Sequence, residues 1–135
     1  MVGVAVPTLT YYFTRKKEIE ADWRKRKLEH YNELLSAISD VAIDNNSRDA
    51  HLRMAQAFNT VGLAAPQYVI DAFLAFWDGI SNSKGHILKE EHDLLLSQFI
   101  RAIRRDIGIL PIDEPKTFAF RLLGGPPPSI QDNNK

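Results

Sequence analysis

The sequence predicts an all-α protein, most simply an antiparallel bundle of about four helices with a long, charged first helix. Apolar residues recur at three- and four-residue steps over most of the chain between Thr14 and Gly108, as in helices with one buried face. Turn-forming stretches interrupt this pattern at 44–47, 62–66 and 82–86. The chain has 135 residues, which is enough for one domain with a single core.

The first helix is predicted from about Thr14 to Ile43, where the sequence DNNS ends it. The second half of this helix has an apolar stripe. The same spacing towards the N-terminus falls on charged residues, so we expect the apolar face to stop near Leu28. Residues 14–27 are therefore predicted to be a solvated charged stalk, and residues 28–110 the body of the bundle. The residues of the predicted stripe are Leu28, Tyr31, Leu35, Ile38 and Ala42.

Two further helices are predicted on either side of a proline. The second helix runs from about Ser47, a suitable N-cap, to about Leu63. Pro66 fits the first turn of the third helix, QYVIDAFLAFWDGIS, because the missing N–H has no partner to lose there. The third helix is apolar over most of its circumference, so we expect it at the centre of the body.

The fourth helix is predicted from about Leu88 to Ile107, with Gly108 as its C-terminal cap and Pro111 preventing its continuation. Residues 111–135 form a C-terminal tail in which the apolar piece Phe118–Leu123 can dock on the bundle. The tail is expected to be partly disordered from Gly124 onward, because glycines, three prolines and polar residues follow.

The apolar N-terminal segment, residues 1–13, suggests the end of a membrane anchor. Val2 to Phe13 contains no charged residue, but it is shorter than the roughly 20 residues that a spanning helix needs. Aromatic residues followed by basic ones are typical of the cytoplasmic end of an anchor. The alternative is an N-terminal arm that packs on the body as a short strand. The candidate membrane-interface residues are Tyr11, Tyr12, Phe13, Arg15, Lys16 and Lys17.

Charge and composition exclude some classes of function. The chain has 17 basic and 17 acidic residues, so its net charge gives no argument for nucleic-acid binding. A basic cluster at Arg24 to Lys27, with Arg101, Arg104 and Arg105, keeps a nucleic-acid interface open as an alternative. Cysteine is absent, which excludes disulfides, thiolate nucleophiles and cysteine-ligated zinc.

No motif in the sequence indicates a catalytic or cofactor site. The nucleophile elbow, the phosphate-binding loop and the dinucleotide fingerprint are all missing, so neither an enzymatic activity nor a cofactor is predicted. The closest approach to a metal site is the group His86, Glu90 and His92, which supports a second alternative, a helical metal protein or enzyme. We expect His92 to point partly inward and the glutamates of this stretch to project elsewhere.

Asp106 is the most informative polar residue. It lies beside the apolar stripe in the last turn of the fourth helix, where the helix dipole disfavours an acid. Its neighbours one turn back, Ala102 and Ile103, are not basic, so we expect a partner from another segment. Arg101, Arg104, Arg105 and Asp106 are therefore the candidate polar structural or binding positions.

The same stretch, FIRAIRRDIG (residues 99–108), resembles the closing motif L-I-x-A-M-R-x-D-L-G of uncharacterised bacterial proteins with an N-terminal membrane helix and a small cytosolic helical domain. KKEIEADWRKRKLEHYNELL resembles the charged, tryptophan-containing stretch after their anchor. Ile103 and Ile107 stand where the motif has methionine and leucine, and the anchor is shorter here. The resemblance implies a topology, with Arg104 and Asp106 as matched polar positions, and no activity.

These observations together predict a membrane-tethered helical domain in the cytoplasm that binds another protein or itself. A protein free in the cytoplasm is the alternative localisation.

Overall fold

The computed structural model describes residues 5–83 and 86–123. This part of the chain folds into four helices, α1 (Ala5–Ile43), α2 (Arg48–Val61), α3 (Gln67–Asn82) and α4 (Lys89–Asp106). The predicted all-α bundle is confirmed, and the helix boundaries of α2, α3 and α4 lie within two residues of those expected. Helix α1 packs against α2, and α3 packs against α4, so the body consists of two helical hairpins.

Helix α1 begins nine residues earlier than predicted, at Ala5, and is 39 residues long. The described part of the apolar N-terminal segment is therefore helical, and the predicted strand alternative is wrong. Pro7 does not interrupt the helix because it lies in the first turn, where its missing N–H would have no partner. The prediction of residues 1–4 falls outside the described residues.

The core-facing stripe of α1 differs from the predicted one. Tyr31 and Ile38 are buried as expected, but Leu28 is 51% exposed and Ala42 is also exposed. The buried face of α1 is rotated about the helix axis by part of a turn from the predicted face. The sequence allows both, because apolar residues of α1 occur at helical spacing on two overlapping faces. The buried residues of α1 are Tyr31, Leu34, Ala37, Ile38 and Val41.

Helices α2, α3 and α4 complete one core around aromatic side chains. Phe73 of α3 stacks on Phe58 of α2 and meets Phe99 of α4 edge to face, with ring centroids 4.3 Å and 5.4 Å apart. At Gly79 the two helices of the second hairpin approach closely, since a Cβ there would lie 2.6 Å from the Leu95 Cδ1 atom. The predicted central position of α3 is not confirmed, because α3 has three buried residues, Val69, Phe73 and Phe76, against five each in α1 and α4, and Leu74 is 40% exposed.

Local sequence sets the ends of the helices. The Ser47 hydroxyl accepts a hydrogen bond from the Ala50 amide at 3.2 Å, as expected of the N-cap of α2. After α4, Gly108 takes a positive φ of 77°, and the amide of Ile109 donates to the carbonyl of Arg104 at 3.0 Å. This Schellman closure turns the chain back at the end of α4.

The chain then returns along α4, and we call residues 109–123 the returning segment. Phe118, Phe120 and Leu122 pack against the core at alternate positions. The Ser97 hydroxyl accepts from the Phe120 amide at 2.8 Å and donates to its carbonyl at 3.0 Å. The described part of the predicted tail therefore belongs to the body, and its predicted docking through Phe118–Leu123 agrees with the structure. The prediction of disorder from Gly124 onward falls outside the described residues.

Candidate functional site

The end of the bundle where α1 enters the core contains a cluster of three polar side chains. Asp106 accepts hydrogen bonds from the Lys27 ammonium, at 3.1 Å, and from the Tyr31 hydroxyl, at 2.6 Å. The expectation that Asp106 has a partner from another segment is confirmed, because 79 residues separate Asp106 from Lys27. We call Lys27, Tyr31 and Asp106 the polar cluster, and this end of the bundle the near end.

The polar cluster corrects the predicted boundary of the charged stalk. Lys27 was placed in the solvated stalk, but its side chain is only 15% exposed, and that of Asp106 is 10% exposed. The body therefore begins at Lys27. Residues 8–26 of α1 are all exposed, and we call residues 5–26 the projecting segment.

The electrostatics of the polar cluster keep Tyr31 protonated. Burial raises the pKa of the Tyr31 phenol, and the hydrogen bond to the Asp106 carboxylate and its negative charge raise the pKa further. The pKa of Tyr68 is also raised, first by burial and then by Asp106, while Arg105 acts in the opposite direction. Neither phenol is therefore poised to lose its proton near neutral pH, which suits a structural hydrogen bond better than acid–base chemistry.

Basic residues surround the polar cluster. The Arg105 guanidinium lies over the ring of Tyr68, 4.8 Å from its centroid, and the Lys27 ammonium lies 5.7 Å from the centroid of Trp23. The Arg24 guanidinium lies 3.8 Å from the point that a Cβ on Gly108 would occupy. The predicted polar positions of α4 are thus brought to the near end together with part of the stalk.

Arg104 has a structural role. Its Nε and Nη2 atoms donate to the two carboxylate oxygens of Asp113 at 2.7 Å and 3.3 Å. The hydrogen bond to Asp113 raises the pKa of the guanidinium. The Arg104 Cζ also lies 5.3 Å from the centroid of the Phe118 ring. Arg104 therefore fastens the returning segment to α4.

Arg101 and Arg105 line a cavity of about 250 Å³ between α4 and the beginning of the returning segment, which we call the α4 cavity. The Nε atom of Arg101 is buried and has no hydrogen-bond partner among the described residues. Within the same part of the chain, no carboxylate forms an ion pair with Arg101 or Arg105. The cavity is thus lined by two arginines without an ion-pair partner, by apolar residues and by Asp113.

The candidate membrane-interface residues lie on the projecting segment. Tyr11, Tyr12 and Phe13 are 70%, 61% and 56% exposed. Arg15 lies 3.8 Å from Glu18 in an exposed ion pair, and Lys16 and Lys17 are exposed. In residues 5–83 and 86–123, no helix is both long enough and apolar enough to cross a membrane.

The residues of the nucleic-acid alternative do not form one basic surface of free charges. Arg26 pairs with Asp22 at 3.2 Å on the exposed surface of α1. Lys27 and Arg104 are held by Asp106 and Asp113, as described above. Paired cations of this kind contribute little to phosphate binding, so only Arg24, Lys25, Arg101 and Arg105 of this set are left to supply it.

The structure does not bring the candidate metal ligands together. His86 and Glu90 are exposed, whereas His92 lies partly buried with its ring centroid 5.3 Å from that of Phe76. The expectation that His92 points partly inward is confirmed. No three histidine or acidic side chains of the described ranges are arranged to hold a metal ion.

A second cavity, of about 270 Å³, lies at the opposite end of the bundle and is mainly apolar. Side chains from all four helices line it, and Leu122 of the returning segment closes one side. His92 and Asn45 supply its polar groups. Nothing in this lining has a free charge or an unpaired buried polar atom, so it is weaker as a candidate site than the α4 cavity.

Sequence reasoning missed Lys27, Tyr31 and Ser97 as polar contacts of the core. Lys27 lies on the same face of α1 as Tyr31 and Leu34, at steps of four and three residues, so the correct stripe would have placed it inward. Ser97 lies between Leu96 and Phe99, which are both fully buried. A serine within the apolar stripe of a helix signals a buried hydrogen bond.

Searches against protein-family models, curated proteins and solved structures found no significant match to the chain. The resemblance of residues 99–108 to the bacterial closing motif therefore stays a prediction. The assignment of a function depends on the geometry of the projecting segment and of the near end.

Proposed function

We propose that the projecting segment holds this protein at a membrane surface and that the bundle is presented on the cytoplasmic side to a protein partner. The observation that carries the proposal is the exposed run Tyr11, Tyr12 and Phe13, followed within four residues by Arg15, Lys16 and Lys17. Aromatic side chains favour the bilayer interface, and basic side chains favour the headgroups of anionic lipids.

The arrangement of the aromatic residues favours a steep helix. Consecutive residues of a helix are rotated by about 100°, so Tyr11, Tyr12 and Phe13 spread around more than one side of α1, although the rings of Tyr12 and Phe13 contact each other with centroids 5.8 Å apart. We call these three residues the aromatic collar. A helix that lay flat on the surface would leave part of this spread in water, whereas a helix that enters end-on buries all three side chains.

The length of α1 then sets the position of the bundle. The 14 residues from Phe13 to Lys27 correspond to about 21 Å of helix at 1.5 Å per residue. The near end of the bundle, with the polar cluster, would face the bilayer across this distance. Such spacing leaves room for a partner between the bundle and the lipid.

Flotation of the protein with lipid vesicles tests the tether. Vesicles of phosphatidylcholine with phosphatidylglycerol should carry the protein, and the Y11S/Y12S/F13S triple variant should lose most of this binding. The R15Q/K16Q/K17Q variant should lose the preference for the anionic lipid and with it the dependence on salt. Equal flotation of the wild type and the collar variant would overturn the proposal.

A matched control comes from exposed apolar residues of the body. Leu52 and Leu94 are each 57% exposed, so the L52S/L94S variant removes exposed apolar surface away from the collar. It should float as the wild type does. Loss of binding in this control would mean that any exposed apolar residue supports vesicle binding, which contradicts a site in the collar.

A second candidate function, self-association through α1, is favoured by one specific observation. The exposed residues Ile19 and Trp23 lie on the same helix face as Lys27 and the core residue Tyr31, at steps of four residues. Helix faces of this kind pack against another helix in coiled coils. Sedimentation equilibrium would show a dimer that the I19S/W23S variant loses and the L52S/L94S control retains. A monomer at all concentrations would contradict it.

A further inference from the structure

The walls of the α4 cavity have two chemically distinct parts. Arg101 and Arg105, one helical turn apart on α4, lie on one side, and the Arg105 guanidinium also lies over the ring of Tyr68. Ile109, Leu110 and Ile112 of the returning segment form the other side, and Leu110 and Ile112 are each 78% exposed. One side of the cavity is therefore cationic, and the other is apolar.

The single acid of the lining does not pair with the two lining arginines. Asp113 is engaged by both the Nε and the Nη2 atoms of Arg104, which approaches from outside the cavity. Neither lining arginine has a carboxylate in an ion pair among the described residues, so both charges can still attract an anion. The Nε atom of Arg101 is buried and has no hydrogen-bond partner among the described residues.

We propose that the α4 cavity binds a small organic anion, with Arg101 and Arg105 holding a carboxylate or phosphate and the apolar wall holding the attached hydrocarbon. Guanidinium groups bind such oxyanions through paired, charge-assisted hydrogen bonds. The volume of about 250 Å³ suits a small ligand. The proposal uses no residue of the projecting segment, so it stands or falls separately from the membrane tether.

Calorimetric titration of the full chain with phenyl phosphate tests the site, since this probe carries one anionic group and one apolar ring. Inorganic phosphate and phenol are the comparison ligands, and each should bind at least about tenfold more weakly because it lacks one half of the recognised chemistry. Equal binding of phenol and phenyl phosphate would overturn the proposal. No measurable binding of phenyl phosphate would do the same.

Variants of the two arginines locate the site. R101Q and R105Q should each weaken phenyl phosphate binding by about tenfold or more. R105Q is the safer of the two for folding, because Arg105 is exposed. Arg121 is an exposed arginine outside the cavity, so R121Q should bind as the wild type does. Equal affinities for R105Q and R121Q would refute the assignment.

The apolar half is tested by L110S, which should weaken phenyl phosphate binding and leave inorganic phosphate binding unchanged. A competition experiment then identifies the source of the anion. If phosphatidylglycerol vesicles displace phenyl phosphate from the wild type, the cavity takes a lipid headgroup. If they do not, it takes a soluble anion. Both results support the cavity as an anion site.

Discussion

At the scale of single residues, the carboxylate of Asp106 is the central contact of the near end. It connects the last turn of α4 to two side chains of α1, in a setting where all three groups are largely removed from water. Removing one partner of a buried ionic contact leaves the remaining charge without compensation, which costs more than the intact contact contributes.

We therefore expect D106N to lower the free energy of unfolding by about 1–3 kcal/mol. Urea denaturation followed by circular dichroism measures this loss. E91Q, at an exposed acid of the same helix, is the control and should change stability by less than about 0.5 kcal/mol. Equal stabilities of D106N and E91Q would show that the polar cluster contributes nothing to the fold.

The raised pKa of Tyr31 predicts a loss of stability at alkaline pH. In the unfolded chain this phenol ionises near its ordinary pKa of 10.0, whereas in the folded protein it stays protonated to a higher pH. Above about pH 10 the unfolded state therefore binds fewer protons than the folded state. The contribution of Tyr31 to the free energy of unfolding is complete below that pH and falls as the pH rises.

Urea denaturation between pH 9 and pH 11.5 tests this linkage. The stability of the wild type should fall more steeply with pH than that of Y31F, so the difference between them should narrow. Y11F, at an exposed tyrosine, should follow the wild type. Parallel curves for the wild type and Y31F would contradict the prediction.

Prediction of the polar contacts from the sequence was partial for a physical reason. The position of Asp106 on its helix showed that it needed a partner, because burial and the helix dipole act on it locally. The identity of that partner depends on how α1 and α4 pack, which no local pattern encodes. Lys27 therefore remained assigned to the charged stalk.

At the scale of the elements, Ser97 and Arg104 of α4 hold the returning segment. Ser97 satisfies both backbone groups of Phe120, which places Phe118, Phe120 and Leu122 against the core. An extended segment without a neighbouring strand has few other ways to satisfy its buried backbone.

S97A should therefore destabilise the protein by about 1–3 kcal/mol and expose the returning segment. Limited proteolysis should cut the variant near Arg121 faster than the wild type. S81A replaces an exposed serine of α3 and should leave both measurements unchanged. Equal cleavage rates for S97A and S81A would show that the apolar side chains hold the segment without the hydroxyl.

The helices themselves were more predictable than their contacts. Turn residues, proline and glycine marked the ends of α2, α3 and α4 because these residues act on the backbone where they stand. The stripe of α1 was only partly right, since Leu28 and Ala42 fit a helical spacing with Tyr31 and Ile38 as well as Leu34 and Val41 do. Only the position of the other helices decides between the two faces.

At the scale of the whole molecule, the body and the projecting segment should be separable. Residues 8–26 are exposed throughout, so the core does not depend on them for burial. A truncated chain that begins at Lys27 keeps the polar cluster, whereas one that begins at Leu34 loses Lys27 and Tyr31.

The chain from Lys27 onward should unfold within about 1 kcal/mol of the full protein, because exposed residues contribute little to stability. It should also fail to bind vesicles. The chain from Leu34 onward should be much less stable, because it lacks the buried Tyr31 ring and leaves Asp106 unpaired. Equal loss of stability in both truncations would mean that the projecting segment is part of the folding unit.

Because α1 is one unbroken helix, it fixes the rotation of the projecting segment about the helix axis relative to the body. Each residue of a helix adds about 100° of rotation, so Trp23 keeps a constant angle to the core for as long as α1 has no break. Two residues inserted after Arg26 would turn Trp23 and Ile19 to about the opposite side, whereas seven would return them within about 20°. If the direction of the face with Ile19 and Trp23 matters, α1 should tolerate only insertions or deletions that correspond to nearly whole turns.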